Sequence, residues 1–234
     1  MAGPPGRSVK IRSTEGAFTL DTSGHNPLNT DDSRTWNELI QAVGPSSLLV
    51  VIESRMGAAI RSRFAPEDIL QDVLLLAWRD RKNCEWRGLQ AFRSWLLTLI
   101  EHRLADASDH INAIKRGGPG IGASGAPRTY RETDVAAPEP VATTTPSRIA
   151  IYAEQASAMR EALDRVPEDC REIVRLRLFE ERTASEIAVR LQIGESAVRH
   201  RFRRGAAAYQ RALAEVISSR SSRIATDERS ESAP

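Results

Sequence analysis

The chain has 234 residues, 41% of them hydrophobic and 27% charged, with a formal net charge of only +2. This allows one or two domains with cores of ordinary size, and it excludes uniform basicity, so any polyanion-binding surface has to be local. The two cysteines, Cys84 and Cys170, are far apart and the four histidines are scattered; no metal, disulfide framework or cofactor is expected.

In chain order, MAGPPGRSVKIRSTEGAF lacks the apolar core of a signal peptide. The longest apolar run, Leu48 to Ile52, is too short to span a membrane. A cytoplasmic protein is the expectation. Residues 1–33 are rich in Gly, Pro, Ser, Thr and Asp without a period and are expected to be a disordered lead-in.

From residue 34 the pattern is helical. Asp32-Ser33 caps a helix reaching Val43, which Gly44-Pro45 stops. A second helix is expected over about Ser47 to Arg63, with Leu49, Ile52, Met56 and Ile60 on one side. A third starts at Pro66, with Glu67 and Asp68 at its positive end. Its core stripe is Ile69, Val73, Leu76 and Ala77. The far side mixes Asp68, Gln71, Asp72 and Arg79 with Leu75 and Trp78, which suits a protein-docking surface. Burial of this helix on both faces is the alternative.

Asn83 to Gln90 is a polar loop holding Trp86, Arg87 and Gly88. Trp86 can stack on an unpaired base or fill a core, and composition favours the core. A long helix follows, with Phe92, Trp95, Leu96, Leu99 and Leu104 inward and Arg93, His102, Arg103, Lys115 and Arg116 offered outward. Residues 117–148 lose all hydrophobic period and read as a flexible Pro/Gly-rich linker.

The second block, 149–217, opens with a helix to Val166 and restarts at Pro167-Glu168-Asp169 with the helix CREIVRLRLFEE. TASEIAVRLQIGESAVRHRFRRGAAAYQR then gives two helices joined at Gln192-Ile193-Gly194, where Gly194 can supply a positive φ. The second of these has apolar Val198, Phe202, Ala206, Tyr209 and Leu213 on one side. Ser196, Arg199, His200, Arg203 and Arg204 lie on the other. Between Ser196 and Ala214 there are five arginines and no acid. An apolar face backed by a cationic one suits a helix-turn-helix whose second helix enters the DNA major groove. The plainer reading is an arginine-rich solvated hairpin. Residues 218–234 are low in complexity and expected to be a disordered tail.

Two helical blocks around such a linker, ending in a helix-turn-helix, resemble the sigma factors of the sigma-70 family, in the compact extracytoplasmic-function (ECF) group. PEDILQDVLLLAW and AFRSWLLTLIEHRLAD are similar to the polymerase-docking and −10 helices of region 2. ALDRVPEDCREIVRLRLFEERTASEIAVRLQIGESAVRHRFRRGAAAYQRAL is similar to region 4. The resemblance implies an all-α fold of two small helical domains, a region 2 bundle over 34–116 and a region 4 helix-turn-helix over 149–217. It implies no enzymatic activity and no catalytic residue. Asp68, Gln71, Asp72 and Leu75 would meet the clamp helices of the largest subunit of core RNA polymerase. Asn83, Trp86, Arg87, His102 and Arg103 would handle the −10 element of promoter DNA. Ser196 and His200 would face −35 base edges, with Arg199, Arg203 and Arg204 on phosphates. An anti-sigma factor is a further partner that the group allows.

The chain departs from the family pattern at His102, where Asn is usual, at Asp109, where a basic residue is usual, and at Gln192, where Gly is usual. The competing reading is a dimeric helix-turn-helix regulator that never touches polymerase. A third, an enzyme with an appended DNA-binding domain, lacks any visible catalytic constellation in residues 35–116.

Overall fold

The computed structural model describes residues 26–29, 31–115 and 145–231. The expected linker falls almost wholly outside these residues, as does most of the expected lead-in. Among the described residues the chain is helical and contains no strand.

Helix α1 (Ser33–Val43) starts on Asp32, whose carboxylate accepts from the backbone N–H groups of Arg34 and Thr35. Gly44, at φ 78°, ends it, and α2 (Pro45–Arg55) begins at the next residue. That φ is a left-handed value that glycine adopts at no steric cost. The run Leu48–Ile52 wraps the whole circumference of α2, and all five side chains are buried. A helix apolar all round has to be covered all round.

The second helix is shorter than its pattern predicts. Met56 turns extended (ψ 118°) and a separate α3 (Ala58–Arg61) follows Gly57. The break lets Met56 point into the core, where it is 3% exposed. Helix α4 (Pro66–Asp80) buries Leu70 and Leu74 as well as Ile69, Val73 and Ala77, a wider stripe than expected. Leu76 is half-buried, as is Trp78, which meets Trp36 edge-on with ring centroids 5.3 Å apart. Leu28, within the segment expected to lead in without structure, is fully buried in this core.

Gly88, at φ 94°, turns the loop into α5 (Leu89–Lys115), about 40 Å long. The second block is α6 (Pro146–Asp164), α7 (Glu168–Leu178), α8 (Ala184–Leu191) and α9 (Glu195–Glu231). The α9 backbone stays helical past residue 217 to Glu231. The two blocks share one hydrophobic cluster, because α6 packs along α2 and closes the side that α4 and α5 leave open. No helix among the described residues is long and apolar enough to cross a membrane.

Candidate nucleic-acid interface

The cationic helix is set by three local devices. A capping box starts α8: Thr183 Oγ1 accepts from the Glu186 N–H at 3.2 Å, and Glu186 Oε2 accepts from the Thr183 N–H at 2.7 Å. A Schellman-type turn ends it. Ile193 N–H donates to the Ala188 carbonyl at 3.1 Å and Gln192 N–H to that of Val189. The residue that takes the left-handed conformation is Gln192 (φ 54°), not Gly194. The sequence placed the turn correctly but gave the positive φ to the wrong residue, since only the closing hydrogen bonds decide which position must bend back.

The third device is Gly205. A β-carbon there would lie 2.6 Å from Val174 Cγ2 and 2.8 Å from Cys170 Cβ, so α9 touches α7 with almost nothing between the backbones. The seam of α9 accordingly runs through Val198, Gly205, Tyr209, Ala212 and Val216, all buried. Ala206, expected inside, is only half-buried, as are Phe202 and Leu213. Tyr209 meets Phe179 edge-on at 5.9 Å, and burial pushes its phenol up to about 12.

Opposite that seam, Ser196, Arg199, His200, Arg203 and Arg204 are all exposed. Ser196, His200 and Arg203 follow an i, i+4, i+7 spacing and form one line on the helix. Arg199 pairs with Glu195 one turn away on α9. Arg204 reaches back to Asp169 and donates to Cys170 Sγ at 3.3 Å. These two groups hold its pKa above the ordinary arginine value. It ties α9 to the start of α7, a contact that spacing along α9 could not reveal.

The N-terminal set divides. Asn83, in a 3-10 turn, and Arg87 are exposed, and Arg87 pairs with Glu85 at 2.7 Å. Trp86 is half-buried, 6.2 Å from the Phe92 ring, so the core reading holds for part of its surface. His102 is exposed about 20 Å further along α5. The loop therefore lies just before the start of α5, and His102 lies well along that helix. Asp68, Gln71, Asp72 and Leu75 share one face of α4; Asp68 is exposed and the others half-buried. Arg103, assigned to DNA, donates to Asp72, assigned to polymerase, with Nε at 2.9 Å and Nη2 at 2.5 Å from Oδ2.

Arg93 overturns its expected outward placement. It is 6% exposed and donates to the carbonyls of Val43 (2.5 Å) and Phe179 (2.8 Å) and to Ser47 Oγ (2.9 Å). Burial pulls its pKa down against the opposing charge of Glu181, 3.1 Å away. Nothing in the α5 pattern separates this arginine from the solvent-facing ones. No cluster of potential metal ligands occurs among the described residues.

A cationic second helix, set across a tight turn from a short capped one and backed by an apolar seam, defines a DNA-binding helix-turn-helix module. Residues 156–208, from the middle of α6 into α9, match the family model for sigma-70, region 4. No curated protein matches the chain.

Proposed function

We propose that the chain is a sigma factor of the sigma-70 family, in the ECF group. It binds core RNA polymerase and directs it to specific promoters, and it has no catalytic activity of its own. The observation that carries this reading is the coincidence of the region 4 match with α8 and α9, whose exposed line presents Ser196, His200 and Arg203 beside Arg199 and Arg204.

In this reading α9 lies in the major groove at −35. Ser196 and His200 reach base edges while the arginines hold phosphates. The Asn83–Arg87 loop with His102 and Arg103 takes the −10 element. A base leaving the duplex stack costs a few kcal/mol, which stacking on Trp86 and polar contacts from the loop offset. Asp68, Gln71, Asp72 and Leu75 meet the polymerase clamp helices. An anti-sigma factor would act by covering one of these surfaces, and the site of action is the cytoplasm.

Run-off transcription with purified core polymerase and a promoter library tests the proposal. Initiation at a defined promoter class is the expected outcome. If the chain binds duplex DNA but neither associates with core polymerase nor initiates any transcript, it is a helix-turn-helix regulator instead.

A further inference from the structure

A short segment ahead of α1 is built into the first block. Asn26 Oδ1 accepts from the Leu28 N–H at 2.9 Å and the Asn26 carbonyl from the Asn29 N–H at 3.1 Å, which winds Pro27–Asn29 into a single 3-10 turn. Leu28 at its centre is 0% exposed. Its side chain belongs to the same cluster as Trp36, Trp78 and Phe92, so burial anchors a turn too short to persist alone.

The anchored turn packs on a second one. Arg81–Asn83 is also a 3-10 turn, closed by the Cys84 N–H on the Arg81 carbonyl at 3.1 Å, and the two turns are in contact. Asp31, two residues beyond the first turn, offers its carboxylate to the second. Arg81 Nη2 lies 2.5 Å from Oδ1 and Lys82 Nζ 3.1 Å from the same oxygen. Lys82 foremost, with Arg81, holds the Asp31 carboxyl below the ordinary carboxylate range. The Arg81 side chain is 8% exposed. Its guanidinium carbon lies 3.5 Å from the centre of the Trp78 ring, and Nη1 donates to the Trp78 carbonyl at 2.5 Å. A guanidinium this enclosed is stable there while an anion faces it, because removing the partner strands a buried charge.

Arg81 stands where the Asn83–Arg87 loop begins. The far end of the loop is tied by other means: Trp86 lies against the Phe92 ring, and the Gly88 carbonyl accepts from the Phe92 N–H at 3.1 Å. The near end depends on Leu28 and Asp31, which come from outside α4 and α5. Groups that receive a ligand have to be held to about 0.5 Å by the residues around them.

We infer that Leu28 and Asp31 are positioning residues for the Asn83–Arg87 loop, and that the segment before α1 is a strap holding Arg81, and through it the loop, in the shape that receives an unstacked base. The inference rests on the −10 reading above. Neither residue needs to touch DNA. A loosened loop still meets a base that is already unpaired, but it offsets less of the cost of taking one out of the duplex.

The test uses the full chain as Asp31→Ala and, separately, Leu28→Ala, with its own two cysteines as probes. Cys84 closes the strapped turn and is half-buried, whereas Cys170 is buried on α7 against Gly205 of α9. Cys84 should react with a thiol reagent several-fold faster in both variants than in the parent, with Cys170 as slow as before. Leu28→Ala changes no charge, so an effect common to both variants is a change in access and not in thiol ionisation. With core polymerase, Asp31→Ala should lose several-fold in initiation on a fully paired promoter and much less where the −10 element is unpaired beforehand, a difference that a general loss of folded chain would not produce. Unchanged Cys84 reactivity in either variant overturns the strap, as does equal acceleration of both thiols. Equal losses on the two templates, or none, overturn its part in base capture. If the parent initiates on neither template, the sigma reading fails and base capture falls with it, while Cys84 reactivity still decides whether the strap holds the loop.

Discussion

Arg103 of α5 lies against Asp72 of α4, its Nη2 2.5 Å from the carboxylate Oδ2. The pair joins two residues that function alone would assign to different partners. Leu75 sits one turn further along the same face of α4 without belonging to the pair. The two positions should therefore separate on substitution. Leu75→Glu should weaken association with core polymerase at least tenfold, about 1.4 kcal/mol, with little change in stability. Asp72→Ala should destabilise the first block by about 1–2 kcal/mol, since it strands a guanidinium that is mostly buried. Pull-down on core polymerase and urea unfolding read the two effects independently. Equal behaviour of both variants in both assays would contradict the division.

The exposed line on α9 predicts three different outcomes from three neighbouring residues. His200→Ala should alter preference at one or two base pairs by about 1–3 kcal/mol. Arg203→Ala should weaken binding on all sequences and lower the salt slope by about one. Arg204→Ala should lower the melting temperature as well, because it also removes the tie to Asp169 and Cys170. Binding isotherms at several salt concentrations, with thermal melts alongside, distinguish them.

Gly205 has no room for a methyl group between α9 and α7. Gly205→Ala should destabilise the second block by about 1–3 kcal/mol despite its higher helix propensity, because Val174 and Cys170 would have to yield. A stability equal to or above the parent would mean that the two helices can move apart freely.

Gln192 carries the left-handed turn of the helix-turn-helix at φ 54°. Gln192→Gly should stabilise the chain by about 0.5–1 kcal/mol, since glycine adopts this conformation without the β-carbon clash. Gly194→Ala, at a position without positive φ, should cost little. Denaturant midpoints for the two variants test the assignment, and the reverse order would refute it.

Glu180 predicts an acid limit on stability. Burial raises its pKa, but hydrogen bonds and charge from Arg55 and Arg175 outweigh that and leave it below the ordinary 4.5. Arg182 adds a longer contact at 3.9 Å, while Glu172 and Glu101 share the same arginines. A carboxylate with a lowered folded-state pKa contributes fully above its ordinary value, and the contribution fades as pH falls through the folded-state value. Urea unfolding from pH 6 to pH 3 should show the parent well above Glu180→Gln at pH 6, with the gap closing toward pH 3. A gap independent of pH would mean that the Glu180 charge is not what Arg55 and Arg175 stabilise.

Much of this protein is carried by local chemistry. Proline and glycine positions, Asp32 and Thr183 as caps, and three-to-four-residue apolar spacing determine an all-helical chain. They also determine a helix-turn-helix with a cationic outer face, because each of those signals acts within one or two turns of backbone. The five exposed α9 residues were legible for the same reason.

What the tertiary structure decided depends on groups distant in sequence. Arg93 looks like any outward arginine until the Phe179 carbonyl arrives from 86 residues away. Gly205 looks like a helix-weakening residue until α7 lies against it. The five-residue apolar run of α2 announces that every side needs a cover, yet it cannot say that α6 supplies one of them. Periodicity records which face of a helix avoids water; only packing settles which other part of the chain meets it.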